Sequence, residues 1–331
     1  MLLAGDIGGT KTELAIFSSE AGPHVPLAQT KVHSSDYPSF GSIAKEFLAK
    51  VDKPVDHACF AVAGPVIGGR VRTTNLPWVI EDASLAQELN LNLKSVHLIN
   101  DLEAIARAVP ILRPSDVSTI NPGEPVPQGA IAVIAPGTGL GESFLTWEGT
   151  RYLAHSSEGG HSDFAPTDQR QIGLLEYMLQ SFDHVSFEHV CSGIGIPNIY
   201  EYLRDVEQIE ERPEVAKLIA AANDPSMPII NNGVSGNPSE LCAATIETFV
   251  TILASEAANL AVKVLATGGL YIAGGVAVRT LTQSPMRTFL RSFMRKGRFA
   301  ELMARIPIHV IVSHAGLAGA ALCGLEDSSV Y

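Results

Sequence analysis

The 331-residue chain has only four cysteines: Cys59, Cys191, Cys242 and Cys323. No two of them stand at the short spacing of a zinc or redox motif, so free thiols are expected rather than a disulfide framework. No apolar run approaching the roughly 20 residues of a membrane-spanning helix is read in the sequence. The N-terminus reaches Asp6 without the apolar region of a signal peptide. Positive charge is scarce, with 23 Lys and Arg against 35 Asp and Glu, a formal net charge of −12. Without a basic run, that balance argues against nucleic acid or an anionic membrane as the main partner. It leaves small phosphates open, because backbone N–H groups and a metal ion can hold them. Two nucleotide signatures are also missing. The Walker A pattern is absent, and "PGTGLG" has G-x-G-x-G spacing followed by strand-like sequence, which counts against a dinucleotide fingerprint.

What is present describes a compact cytoplasmic globule, 46% hydrophobic and 18% charged, long enough for two domains. The first half opens with a strand over residues 2–6, a turn at Gly8-Gly9-Thr10 and a second strand over 12–18. "LAQTKVHS" can add a third strand. Helical spacing of Phe40, Ile43, Phe47 and Leu48 follows, then the apolar strand "HACFAVAGP" and a hairpin around Gly68-Gly69. The second half starts alike, with "AIAVIAPGTGLGESFLTW" as strand, glycine turn and strand, and "TRYLAHSS" as a third strand. Its longest helix begins near Asn237, Pro238 and Glu240 in a capping-box-like start, and is stopped by Gly268-Gly269. "LYIAGG" and "IPIHVIVS" are later strands, and "GLAGAALCGLE" is a closing helix. The Pro- and Ser-rich segment "RPSDVSTINPGEPVPQG" falls near the crossover between two similar α/β halves.

Four stretches carry chemistry. In "GDIGGT" a glycine turn between strands can offer backbone N–H groups to phosphate, with Thr10 adding a hydroxyl. Asp6 would repel phosphate directly, which makes sense with Mg2+ between them, through water. The bland alternative is an ordinary hairpin with a structural aspartate. "PGTGLG" opens the second half in the same way, and the pair suits two clamps on one polyphosphate. "IAGGVA" adds Gly274-Gly275 at a strand-to-helix junction, suited to close approach of a base or ribose. Fourth, "SVHLINDLEAIARAVP" puts Asn100 and Asp101 where a buried strand meets a helix. Asp101 is either a helix cap or a carboxylate at the carboxyl end of a strand, where open α/β sheets place ligands.

Taken together and in order, "GDIGGTKT", "AVAGPV", "TNLPW", "LINDLEA", "PGTGLG", "SEGGHSDFAP", "EHVCSG" and "IAGGV" closely resemble the bacterial glucokinase family, within the hexokinase and actin-like ATPase superfamily. The resemblance runs from residue 2 to about Gly319. It implies two ribonuclease-H-like α/β domains with an interdomain cleft, expected at 1–110 plus 314–331 and at 111–313. It implies ATP-dependent phosphorylation of D-glucose at the 6-hydroxyl, with Mg2+ accompanying ATP, and commonly a homodimer. Gly8, Gly9, Thr10, Gly137, Thr138, Gly139, Gly274 and Gly275 become the nucleotide side, with Asp6 reaching the metal through water. Asp101 becomes the general base and Asn100 a reader of the sugar's 3- and 4-hydroxyls. Glu158 and His161 flank Gly159-Gly160 and would read the 1- and 2-hydroxyls. Glu188, placed after Ser186 in the first turn of an expected helix, would take the anomeric hydroxyl. Asn75 and the backbone at Gly64-Pro65 are weaker candidates for the sugar wall. The cysteine cluster of the related zinc-binding branch is missing after the Glu-Gly-Gly-His run, so His161 is assigned to sugar and no direct protein metal ligand is expected. A kinase for mannose or an amino sugar, or a non-catalytic sugar-responsive actin relative, are the alternatives.

Overall fold

The computed structural model describes residues 1–73, 76–282 and 286–328. The candidate Asn75 lies outside the described residues. The chain divides into two compact units, Met1–Leu112 with Thr150–Ser156 and Ser313–Tyr331, and Arg113–Gly149 with Ser157–Val312. The segment Thr150–Ser156, which the sequence reading left in the larger domain, groups with the first unit.

The first unit is a sheet covered on both faces. Its strands are β1 (Leu2–Ile7), β2 (Lys11–Phe17), β3 (Ala28–His33), β4 (His57–Val62), β5 (Arg70–Arg72), β6 (Val79–Glu81) and β7 (Val96–Asn100). The five-stranded sheet has the order β3-β2-β1-β4-β7, while β5 and β6 form a separate pair. β1 is antiparallel to β2 and parallel to β4, which is parallel to β7. Alternation along each strand then sorts the core. Leu3, Ile7, Leu14, Phe60 and Val62 meet Phe40, Ile43 and Phe47 of the helix Phe40–Lys50, with Phe40 and Phe60 edge to face at 4.7 Å. Leu2, Ala4, Ala15, Cys59 and Ala61 meet Ala104, Leu317, Ala320 and Ala321 on the other face. Small residues predominate there because the helices Asp101–Ala108 and Ala315–Ser328 approach closely: a Cβ on Gly319 would collide with the Ala104 backbone.

The second unit carries β8 (Val117–Asn121), β9 (Ile131–Pro136), β10 (Leu140–Trp147), β12 (Gly269–Ile272) and β13 (Ile308–Ile311); β11 (Tyr152–Ser157) spans the passage from the first unit to the second. β10, β9, β12, β13 and β8 are neighbours in that order. β9 and β10 form the expected antiparallel hairpin, and β9, β12 and β13 run parallel. β8 comes from the Pro- and Ser-rich segment, which was not expected to be a strand. It pairs antiparallel along β13.

The long helix Glu240–Val264 fills the core of this unit, with Phe249, Leu253, Ala257 and Ala261 buried against the sheet cluster. Contrary to the expectation of no such run, it is long and apolar enough to cross a membrane, yet 78% of its most apolar stretch is buried inside the protein. Both ends also differ from expectation. Ser239 is the N-cap, its hydroxyl accepting from the Cys242 N–H at 3.2 Å. Leu265, at φ 52°, ends the helix in the left-handed region before the glycines are reached. All four cysteines are buried.

The packing of the two small-residue helices gives a test. Gly319→Ala should lower stability by about 1–3 kcal/mol, the usual cost of forcing volume into a filled core. Gly236→Ala, where an added Cβ meets nothing within 4 Å, should change the denaturant midpoint little. Equal midpoints for the two variants would contradict the close approach at Ala104.

Candidate functional site

Register decides what can lie side by side in the first unit. Ile7 pairs with Val62, and Val62 with Asn100, so β1, β4 and β7 end level. The Gly8–Thr10 turn, the 63–65 loop and the Asn100-Asp101 junction therefore share one edge of the sheet, the carboxyl edge of its parallel strands. Open α/β sheets bind ligands at such an edge.

Asn100, not Asp101, is the cap. Its Oδ1 accepts from the N–H groups of Leu102 (2.9 Å) and Glu103 (3.3 Å), and its Nδ2 donates to the Gly64 carbonyl at 3.0 Å. Asp101 is the first residue of the helix, with one carboxylate oxygen accepting from the Leu102 N–H at 2.9 Å. The capping question is thus settled in favour of the neighbour, and Asp101 stands in the first helical turn, where the helix dipole favours negative charge.

Asp6 ends in the same charge field. Burial pushes its carboxyl up to about 6, with repulsion from Asp101 and then Glu13 adding to it, against the opposing pull of His314 and Lys31. Gly316, in the first turn of the closing helix, leaves the space that the Asp6 carboxylate occupies. Glu13 is buried and meets the Lys31 ammonium at 3.1 Å.

The first glycine turn is held by its carbonyls. Ser34 Oγ donates to the Gly8 carbonyl at 2.9 Å, and the Ser34 N–H to the Thr10 carbonyl at 3.0 Å. The Gly8 N–H donates to the Lys11 carbonyl at 3.0 Å. Among the described residues no group accepts from the N–H groups of Gly9 and Thr10.

The second unit repeats this arrangement with different residues. The Gly137 carbonyl accepts from the Gly193 N–H at 2.8 Å, and the Thr138 carbonyl from the Ile194 N–H at 3.2 Å. The N–H groups of Thr138 and Gly139 have no acceptor among the described residues. Each turn thus ties its carbonyls inward and leaves amides free, the polarity an anion requires. Gly274, at φ 90°, ends the crossover after β12, and a Cβ there would strike the Pro136 backbone. The Gly274-Gly275 junction, which starts the helix Gly275–Leu281, is therefore pressed against the β9–β10 turn.

The same unit gathers Glu188, His161 and Glu158 around a three-residue helical turn, Gly159–His161. Glu158 precedes the turn, its carbonyl accepting from the His161 N–H at 3.0 Å. A Cβ on Gly160 would collide with the Leu140 carbonyl, so the turn can lie on the β10 backbone only with glycine there. Glu188 joins the two motifs. Its N–H donates to the Gly160 carbonyl at 2.9 Å, and its Oε2 accepts from the Leu140 N–H at 2.9 Å. Its Oε1 stands 4.0 Å from His161 Nδ1. The helix expected after Ser186 does not form. Residues 187–190 are bend and turn, and the next helix begins at Gly195. Glu188 owes its position to these hydrogen bonds rather than to a helix dipole. Glu158 and His161 are exposed and Glu188 half-buried.

Sequence reasoning missed the groups that hold these motifs. Ser34 sits in "VHSSDYP" and Gly193-Ile194 in "CSGIG", neither with a pattern that announces its role. Among the described residues, no group of three or more His, Cys, Asp or Glu is arranged to hold a metal ion.

Comparison with known proteins follows the same lines. The glucokinase family model matches residues 3–327. The glucokinase of Nostoc punctiforme is 38% identical over 339 aligned residues, covering 98% of each chain. The solved structure of glucokinase from an Antarctic psychrotroph superposes with a TM-score of 0.78 at 30% identity, covering 97% of this chain and 98% of that one. The glucokinase of Balamuthia mandrillaris, solved in complex with glucose, shares the fold at a TM-score of 0.80 and 20% identity, covering 97% and 92%. With its glycine turns, its Asn100-Asp101 junction and its Glu-Gly-Gly-His turn all lying inside the matched span, this chain belongs to the glucokinase family.

Proposed function

We propose that this chain transfers the γ-phosphoryl group of ATP to the 6-hydroxyl of D-glucose, giving glucose 6-phosphate and ADP, the first step of glycolysis. The observation that carries the reading is the matched pair of glycine turns, each with carbonyls tied inward and amides free. The finer architecture proposed with it is two ribonuclease-H-like, actin-like ATPase domains, 1–110 plus 314–331 and 111–313, with substrates taken in a cleft between them. Supporting this, each unit by itself has an antiparallel hairpin joined to parallel strands, with a glycine turn at the hairpin tip. A cytoplasmic homodimer completes the proposal, on the strength of the family.

In this reading Asp101 accepts the proton of the 6-hydroxyl as that oxygen attacks phosphorus. The transition state of phosphoryl transfer is loose, so the proton moves late and an ordinary carboxylate suffices. Asn100 spends Oδ1 on the cap and one amide proton on Gly64, which leaves its second amide proton for a sugar hydroxyl. Glu158, His161 and Glu188 hold the hydroxyls at the other end of the sugar. The free amides of Gly9, Thr10, Thr138 and Gly139 take phosphate oxygens, and Gly274-Gly275 admits the nucleoside. Asp6 fits Mg2+ held through water. A carboxyl driven up by burial and by two neighbouring carboxylates gains from a nearby dication, which would also neutralise phosphate charge.

Three measurements test this. A coupled ADP-release assay over a hexose panel should show glucose as the preferred acceptor; preference for a sugar altered at carbon 2 would reassign the substrate. Asp101→Asn should keep melting temperature and glucose affinity, because Asn100 carries the cap, while turnover falls by about 10² or more. Glu188→Gln should mainly weaken glucose binding. Near wild-type turnover in Asp101→Asn would remove the base assignment.

Asp6 gives a pH signature in the protein free of nucleotide and Mg2+. Its folded value lies above its unfolded one, so its contribution to stability is full below the ordinary carboxylate range. It is lost as pH rises through about 6. Asp6→Asn should therefore melt above wild type at about pH 7.5, with the gap closing towards about pH 4. A gap independent of pH would show that Asp6 is not strained.

A further inference from the structure

A pair of acids behind the Glu158–His161 turn is unused by the mechanism above. Glu142, on β10, is 2% exposed, and Glu256, in the middle of the long core helix, is fully buried. Their carboxyl groups lie side by side, close enough for a hydrogen bond between them once one is protonated. Such a bond needs a proton, since two carboxylates are both acceptors. Glu142 also reaches forward. Its Oε2 occupies the space that a Cβ on Gly159 would need, so the carboxyl rests directly on the backbone of the turn. Two residues earlier on the same strand, Leu140 touches Gly160 and binds Glu188. β10 thus supports the sugar-reading turn at two points, one of them a buried acid.

Glu256 is braced from its own helix and from one other segment. Asn259 Nδ2 donates to its Oε2 at 2.8 Å, and the Lys263 ammonium lies 3.7 Å from its Oε1. Lys296, beyond the helix Met286–Phe293, donates to Asn259 Oδ1 at 2.5 Å and to the Ser255 carbonyl at 3.4 Å. The buried Cys191 thiol is a further titratable neighbour, pushed up by its burial and then by Glu256 and Glu142. Outside the pair itself, the Oε1 atoms of Glu142 and Glu256 have no hydrogen-bond partner among the described residues. Two buried acids that depend on a shared proton are costly to keep, and a pair of apolar residues would fill the space more cheaply. Their place behind the turn points to positional use.

We propose that Glu142 and Glu256 share one proton and act as a positioning pair that holds the Glu158–His161 turn in its sugar-binding form. The inference rests on the reading of Glu158 and His161 as sugar ligands. With the proton in place, the bond pulls Glu142 back towards the long helix and leaves Gly159 its seat. When the proton leaves, the two carboxylates repel, Glu142 is driven against Gly159, and the turn shifts. Burial and the neighbouring Glu256 push Glu142 up to about 8, so that loss falls in the alkaline range.

The test compares wild type, Glu142→Gln and Glu142→Ala by steady-state kinetics with glucose and ATP between about pH 6 and 9, with melting curves over the same range. In wild type, glucose KM should rise above pH 8 while ATP KM and kcat change little. Glu142→Gln keeps a donor to Glu256 but has no proton to lose, so its glucose KM should stay flat. Its melting temperature should likewise lack the alkaline fall of wild type. Glu142→Ala, which removes the support and orphans Glu256, should raise glucose KM about tenfold with a much smaller change in kcat. A Gln variant that keeps the wild-type alkaline rise, or an Ala variant with wild-type glucose KM, would overturn the positioning role while leaving the kinase reading intact. A wild-type protein that releases no ADP with any hexose would remove the kinase reading, and the positioning role with it.

Discussion

The level ending of β1, β4 and β7 is the constraint on which the first unit's chemistry depends. Because Ile7, Val62 and Asn100 lie in one row, three chain segments far apart in sequence leave the sheet at the same height. A shift of one residue in any of these pairings would exchange the two faces of a strand. It would carry Phe60 out of the Phe40 cluster and bring Ala61 in. The core therefore enforces the register, and the register puts Asp6, Gly64, Asn100 and Asp101 together. The geometry of this edge is a consequence of which apolar residues alternate along three strands.

At that edge the fold accepts charge that it would otherwise avoid. Asp101 and Glu13 repel the Asp6 carboxylate, and Lys31 and His314 partly offset them. The second unit bears a comparable load in Glu142 and Glu256. The two cases are relieved differently. Asp6 keeps part of its surface, whereas Glu142 and Glu256 are sealed and can be relieved only by a proton. Buried carboxylates in one chain can thus answer to different agents, according to what reaches them.

The sequence displayed the outlines of this arrangement more readily than its fastenings. Both glycine hairpins were legible, because "GDIGGT" and "PGTGLG" sit between apolar alternations. The strand-to-helix step at Asn100-Asp101 was legible too, since the apolar period changes there. Which of the two residues caps was not, because both are good caps and only the reach of Asn100 to Gly64 decides. The turn at 187–190 was misread as helix, since Ser186 resembles an N-cap while its real partners, Asp163 and His189, are a bridge and a turn contact. Leu265 ends the long helix with a left-handed conformation that leucine rarely adopts, so the downstream glycines attracted the assignment. Glu142 and Glu256 left a visible trace, an acid inside an apolar strand and another on a buried helix face. Their meaning needed the third dimension.

The carboxyl edge of the first unit's sheet also binds the two ends of the chain together. Asp6 is set by β1 at the start and seated on Gly316 in the helix at the end. That helix covers Leu2, Ala4, Cys59 and Ala61 with Leu317, Ala320 and Ala321, and its Gly319 admits the Ala104 backbone. Without the helix, one apolar face of the sheet would be open to water, and the Asp6 carboxylate would lose the helix N-terminus beside it. Contacts of such long sequence separation form late, since the intervening chain must first be ordered or its closure entropy met. That edge of the sheet is therefore completed only when the last helix docks. A truncated or nascent chain lacking that helix has the glycine turn and Asp101 in its sequence but not the packed sheet that aligns them.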